Sequence, residues 1–170
     1  MSQRLLACLV LAIAATGCSK STPDAASATQ PSEAPRTVAQ LDEAGLIAAV
    51  GSPAVYEYPL DDGRGLNFRA KDCTPQDCQP AFKLEFRKGR INLSWEQISG
   101  DAKLEAMNAQ NVQWADQVLT YALGKEAAVK VMLASTGDQP LKFQHLGHEV
   151  RMLAPRKSMH SVLVTIAPIP

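Results

Sequence analysis

Apolar and polar positions divide the chain into a leading apolar block, a polar stretch, and residues 41–170, where the spacing becomes that of folded elements. The clearest of these runs from Ala81 to Arg87: Phe82, Leu84 and Phe86 alternate with Lys83, Glu85 and Arg87, the period of a strand with one buried face. Lys88-Gly89 turns the chain into a second alternating run, Arg90-Ile-Asn-Leu93. Upstream, Ala54–Tyr58 is rich in β-formers and Leu66–Arg69 again alternates. Between those two lies Asp61-Asp62-Gly63-Arg64-Gly65, where Asp-Gly signals a hairpin. A calcium loop would need acidic residues at alternate positions over a dozen residues and a closing Glu, so the turn is preferred. The four runs predict an antiparallel meander with one wet face.

Helical spacing appears on both sides of this meander. Leu41, Leu46, Ile47 and Val50 predict a short helix with Asp42 and Glu43 at its favourable N-terminal end, stopped by Gly51-Ser52-Pro53. Ser94-Trp-Glu-Gln97, flanked by Leu93 and Ile98, has the pattern of a capping box and predicts a helix start. Gly100 interrupts, and Asp101 caps a fresh start. From there Leu104, Met107, Asn111, Ala115, Val118 and Ala122 form one stripe, widened by Val112, Leu119 and Leu123 and ended by Gly124. Lys125–Ser135 reads as a second helix, although Val129 and Val131 leave a strand as the alternative. Past Pro140, Leu141–His145, His148–Leu153 and Val162–Ala167 return to strand patterning, broken by Gly147 and by Pro155-Arg156-Lys157-Ser158. The tail Pro168-Ile-Pro170 is expected not to continue a ladder. The fold class predicted is α+β: a mainly antiparallel sheet packed by a central pair of helices.

The leading block reads Leu5-Leu-Ala-Cys-Leu-Val-Leu-Ala-Ile-Ala-Ala-Thr-Gly-Cys18 behind one positive charge at Arg4. It has the anatomy of a secretory signal peptide. Its apolar run is shorter than the roughly 20 residues a spanning helix needs. The ending Ala15-Thr16-Gly17-Cys18 resembles the lipobox of bacterial lipoproteins, with Ala15 where Leu is usual. The resemblance implies diacylation of the Cys18 thiol, cleavage before it and acylation of the new amine. Plain cleavage after Gly17 is the competing reading, since Ala15 and Gly17 also suit an ordinary signal peptidase. Ser19, standing where lipoproteins of the inner membrane commonly have Asp, implies the periplasmic face of the outer membrane. Two or three acyl chains on one cysteine satisfy the two-signal condition for stable anchoring. The organisation expected is a signal peptide at 1–17, a lipidated cysteine and disordered tether at 18–40, and one globular domain at 41–170. The tether is rich in Ser, Thr, Ala and Pro and spans roughly 25 Å on average.

Charge adds little. Lys and Arg total 17 and Asp and Glu 17, and Arg4 leaves with the signal. This balance offers no electrostatic footprint for nucleic acid. Of four cysteines, Cys8 lies in the signal and Cys18 is the lipid site, leaving Cys73 and Cys78 in an oxidising compartment. A disulfide is expected, worth only roughly 2 kcal/mol because the loop is short. Redox chemistry would want Cys-x-x-Cys, and nothing in the spacing demands zinc from these cysteines and two of His145, His148 and His160. In His145-Leu-Gly-His148-Glu149 the order is wrong for a zincin, and Gly147 suits a turn, so structural or surface histidines are expected. No nucleophile elbow or phosphate loop occurs, and no cofactor or metal is called for.

Two features suit recognition. Tyr56, Tyr58, Trp95 and Trp114 are of the type enriched in interface cores, and both tyrosines fall on one side of a strand. Packing of these side chains in the core is the equal alternative. The clamped loop through Thr74, Pro75, Gln76 and Asp77 is a rigid projection, fit either for binding or for stabilisation alone. The function expected is a non-enzymatic, lipid-anchored module that binds another envelope or periplasmic protein, as an accessory subunit or an inhibitor or immunity protein. The alternatives are a small envelope hydrolase and a binder of a small ligand or cell-wall fragment.

Overall fold

The structure, a computed structural model, describes residues 41–68, 81–98, 102–155 and 161–169. The signal segment, Cys18, the tether, Cys73, Cys78, the loop residues Thr74, Pro75, Gln76 and Asp77, and His160 lie outside the described residues.

The fold is α+β. Helix α1 (Glu43–Val50) precedes strands β1 (Ala54–Leu60), β2 (Gly63–Phe68), β3 (Phe82–Arg87) and β4 (Arg90–Glu96). A 3-10 turn (Ala102–Leu104) leads into helices α2 (Glu105–Leu123) and α3 (Lys125–Ser135). Strands β5 (Leu141–His145), β6 (His148–Met152) and β7 (Ser161–Pro168) follow. All seven strands form one sheet in the order β1-β2-β3-β4-β7-β6-β5, every neighbouring pair antiparallel. Two meanders thus meet at the β4–β7 seam, with the helical pair carrying the chain from one to the other.

The strands form where period two is strongest. Phe82, Leu84 and Phe86, Ile91, Leu93 and Trp95, Val150 and Met152, and Val162, Val164 and Ile166 all turn to one face and are buried. Onto that face come Leu46 and Val50 of α1, Trp114, Ala115, Val118, Leu119, Ala122 and Leu123 of α2, and Ala127, Ala128 and Val131 of α3, completing one core. Phe68, Phe82 and Trp114 meet edge to face or tilted, with centroids 5.4–6.4 Å apart, a favoured aromatic arrangement.

Several local expectations hold. Asp42 caps α1 by accepting from the Ala44 N–H, and Gly51 ends it in the left-handed region at φ 70°. The glycine inside α1 has a packing reason: a Cβ on Gly45 would lie 1.9 Å from the Tyr121 hydroxyl of α2. Residues 125–135 are helical, not a strand.

Others are corrected. The Ser94–Gln97 capping box starts no helix, because Ser94 pairs with Leu163 and Trp95 is fully buried, so tertiary pairing overrides the local signature. The Asp-Gly hairpin exists, but its two turn residues are Asp61 and Asp62, and Gly63 and Gly65 lie in β2. A Cβ on Gly63 would sit 1.9 Å from the Phe86 carbonyl oxygen, which explains that glycine. Leu104, Met107 and Val112 are only half-buried, while Trp114, beside the stripe, is buried in the core. At the C-terminus Pro168 still pairs with His148, and the Ile169 N–H donates to the Gly147 carbonyl at 3.1 Å.

Candidate functional site on the open face of the sheet

Helices cover one face of the sheet; among the described residues no helix covers the other. Strand alternation sends Tyr58, Glu85, Asn92, Thr165, Arg151 and Lys142 to this open face, and the register aligns them in one row, Tyr58–Gly65–Glu85–Asn92–Thr165–Arg151–Lys142. A neighbouring row runs Tyr56–Asn67–Lys83–Ser94–Leu163, and the Leu153 N–H extends it by donating to the Leu163 carbonyl at 3.1 Å.

Hydrogen bonds tie the first row together. Tyr58 Oη donates to Glu85 Oε1 at 3.3 Å, Asn92 Nδ2 to Glu85 Oε2 at 3.0 Å, and Thr165 Oγ1 to Asn92 Oδ1 at 3.0 Å. The phenol reaches Glu85 only because Gly65 lies between them: a Cβ there would fall 2.2 Å from the Tyr58 ring. Arg87 Nε donates to Glu85 Oε2 at 2.9 Å, its Nη1 reaches Asp62, and Arg90 Nη2 donates to the other Asp62 oxygen at 3.2 Å. Farther along, Glu149 pairs with Lys142 at 2.9 Å and with Arg151.

These contacts set the titrations. Burial, reinforced by the Glu85 carboxylate, pushes the Tyr58 phenol up to about 12. Burial of Glu85 opposes its ionisation, but hydrogen bonds from Asn92 and Arg87 outweigh it and hold the carboxyl below the ordinary range. Hydrogen bonds from Lys142 and Arg151 do the same for Glu149.

A hollow of about 390 Å³ opens on this face, lined by Arg87, Arg90, Asn92, Arg151, Leu153 and Thr165. A second depression of about 430 Å³ lies among the helices, where Lys125 and Asp116 pair with each other at 3.1 Å.

Of the residues singled out in the sequence, Tyr56 and Tyr58 come together, with ring centroids 5.7 Å apart on the edge strand β1. Tyr56 is 44% exposed and Tyr58 half-buried. Trp95 and Trp114 are core residues, so the recognition reading fails for them and the packing alternative holds. His145 and His148 face each other across the Leu146-Gly147 turn. His145 Nε2 lies 2.8 Å from the Leu123 carbonyl and pins β5 to the end of α2, while His148 is fully buried. Among the described residues no three His, Cys, Asp or Glu side chains are grouped to hold a metal, and no helix is long and apolar enough to cross a membrane. The arginine hollow went unread in the sequence. Arg87 and Arg90 flank the Lys88-Gly89 turn and so must oppose each other, which was a usable signal; Arg151 joins them only through strand order.

The chain matches no protein-family profile, no curated protein and no solved structure.

Proposed function

We propose that this chain is a lipid-anchored envelope protein, acylated at Cys18 and held at the periplasmic face of the outer membrane, that acts by binding another protein through the open face of its sheet. The observation that supports this reading is the character of that face. It carries exposed apolar side chains, Tyr56 and Leu153, in one row beside a hydrogen-bonded polar row, with no helix of the described residues over either. Large amphipathic side chains next to ordered polar groups are what interface cores are made of. The polar row is held by its own hydrogen bonds before any partner arrives, which lowers the ordering cost of association.

Brief crosslinking of the tagged full-length protein in intact cells tests this. One discrete adduct with an envelope protein is expected, weakened by Tyr56→Ala and Leu153→Ala and retained in His145→Ala, where only a structural contact is lost. Purified protein that instead degrades peptidoglycan, and loses that activity with one carboxylate or histidine, would overturn the reading in favour of a hydrolase. The anchor has its own check: Cys18→Ala should abolish fatty-acid labelling, and undiminished labelling refutes acylation at that residue.

A further inference from the structure

We infer that the hollow between β3, β4, β7 and β6 recognises a carboxylate, supplied by an acidic side chain of the protein partner; this rests on the binding-module reading above. Arg87 and Arg90 are direct cross-strand partners, and like charges so placed repel. Asp62, in the β1–β2 turn, accepts from both and offsets part of that repulsion. Arg151 reaches the same hollow from β6, and Glu149 holds it. The three carboxylates that fix these guanidinium groups, Asp62, Glu85 and Glu149, do not line the hollow. Among the described residues it is lined by three arginines, Asn92, Thr165 and Leu153. Among the described residues Arg90 engages a carboxylate only at Asp62, through Nη2, and Arg151 only at Glu149, through Nε, so the rest of each planar fork is turned to another acceptor.

The charge balance selects the class of anion. The ion pairs form two clusters: Arg87 and Arg90 with Asp62 and Glu85, which balance, and Arg151 and Lys142 with Glu149, which carry an excess of one positive charge. One excess charge suits a monoanionic carboxylate better than a dianionic phosphate. The source follows from exposure. The Arg90 and Arg151 side chains are 45% and 57% exposed, and an ion pair open to water contributes little. An acidic side chain delivered on a protein surface also covers the 59% exposed Leu153 and shuts water out, which a free carboxylate cannot do.

The test is a titration of the full-length protein with a hexaglutamate peptide, hexaglutamine, citrate and inorganic phosphate, followed through the arginine Nε–H resonances by NMR. Saturable shifts at Arg90 and Arg151 with hexaglutamate and none with hexaglutamine are expected. The double variant Arg90→Gln, Arg151→Gln should weaken binding about tenfold or more, with Arg90→Lys in between. Absence of saturable shifts, or equal binding by the double variant, overturns the proposal. Phosphate binding as tight as hexaglutamate overturns the carboxylate class, and citrate binding tighter than hexaglutamate overturns the partner as its source. In cells the double variant should lose the adduct formed by the wild type. A wild-type adduct that survives in the double variant sinks the hollow alone, whereas no adduct from the wild type sinks the binding-module reading itself.

Discussion

The two faces of this sheet are built from the same strands and could hardly differ more in what holds them. On the covered face the groups touch by dispersion and area: Phe68, Phe82 and Trp95 are fully buried and the packing continues into all three helices. On the open face the groups touch by hydrogen bonds and ion pairs in reach of water, from Tyr58 through Glu85 and Asn92 to Thr165. Burial of large apolar side chains dominates stability, while half-exposed ion pairs add little to it. The difference therefore separates two jobs. One face makes the fold, and the other is a polar surface whose organisation the fold does not need, which is why it is the place to look for function.

The comparison breaks most plainly at Phe82. Phe82→Ala should cost about 3–5 kcal/mol in denaturant unfolding, whereas Lys83→Ala, the next residue on the opposite face, should stay within about 0.5 kcal/mol. Equal losses at the two positions would erase the distinction. Gly65 is the exception that sharpens it, as a place on the open face where shape matters. Gly65→Ala puts a methyl into the Tyr58 ring and should destabilise by about 1–3 kcal/mol. Adding Tyr58→Ala to that variant should recover part of the loss in the same measurement.

A smaller effect, of opposite sign, is expected at the β5–β6 turn. Leu146 has φ 49°, a conformation unfavourable for a side chain of its kind, and Gly147 follows at φ 79°. Leu146→Asn should raise stability by about 0.5–1 kcal/mol, read as a higher melting temperature.

The smallest effects are those of pH at two groups of the open face. The Glu85 carboxyl is held below its ordinary value in the folded chain, so the unfolded chain binds more protons through the acid range. The stability it contributes is present above the unfolded carboxyl pKa and is lost as pH falls through the folded one. Glu85→Gln should flatten that part of the acid limb. The Tyr58 phenol, raised to about 12, should give a late component in an absorbance titration, and Tyr58→Phe should remove that component. Here the sign reverses, since the group favours the folded state below its unfolded pKa and loses that contribution as pH rises through about 12.

Much of the covered face could be read from the sequence, because burial imposes periodicity. The alternation of Phe82, Leu84 and Phe86 and the stripe of Ala115, Val118 and Ala122 are the core itself written along the chain. Failures arose where a local signal met a tertiary demand. Ser94 and Gln97 look like a helix start, yet Trp95 is drawn into the core in step with Ile91 and Leu93, and pairing with β7 keeps the segment extended. Trp114 has the residue type of a recognition site, but it lies beside the apolar stripe and is drawn into the core with it. The open face was less legible because polar alternation only says which side is wet. Tyr56 and Tyr58 were found together since they share one strand. Arg151 could not be placed beside Arg87 and Arg90, because only the insertion of β7 between β4 and β6 brings it there.

The central claim, that the open face is the binding face, is tested most directly by a photo-crosslinking scan of both faces in living cells. A photoreactive residue is placed in turn at Tyr56, Lys83, Leu153 and Leu163 on the open face, and at Val129 and Leu133, which are exposed on α3. An adduct of one size is expected from the open-face positions and none from the α3 positions. Adducts confined to Val129 and Leu133, with the open face silent, would contradict the claim.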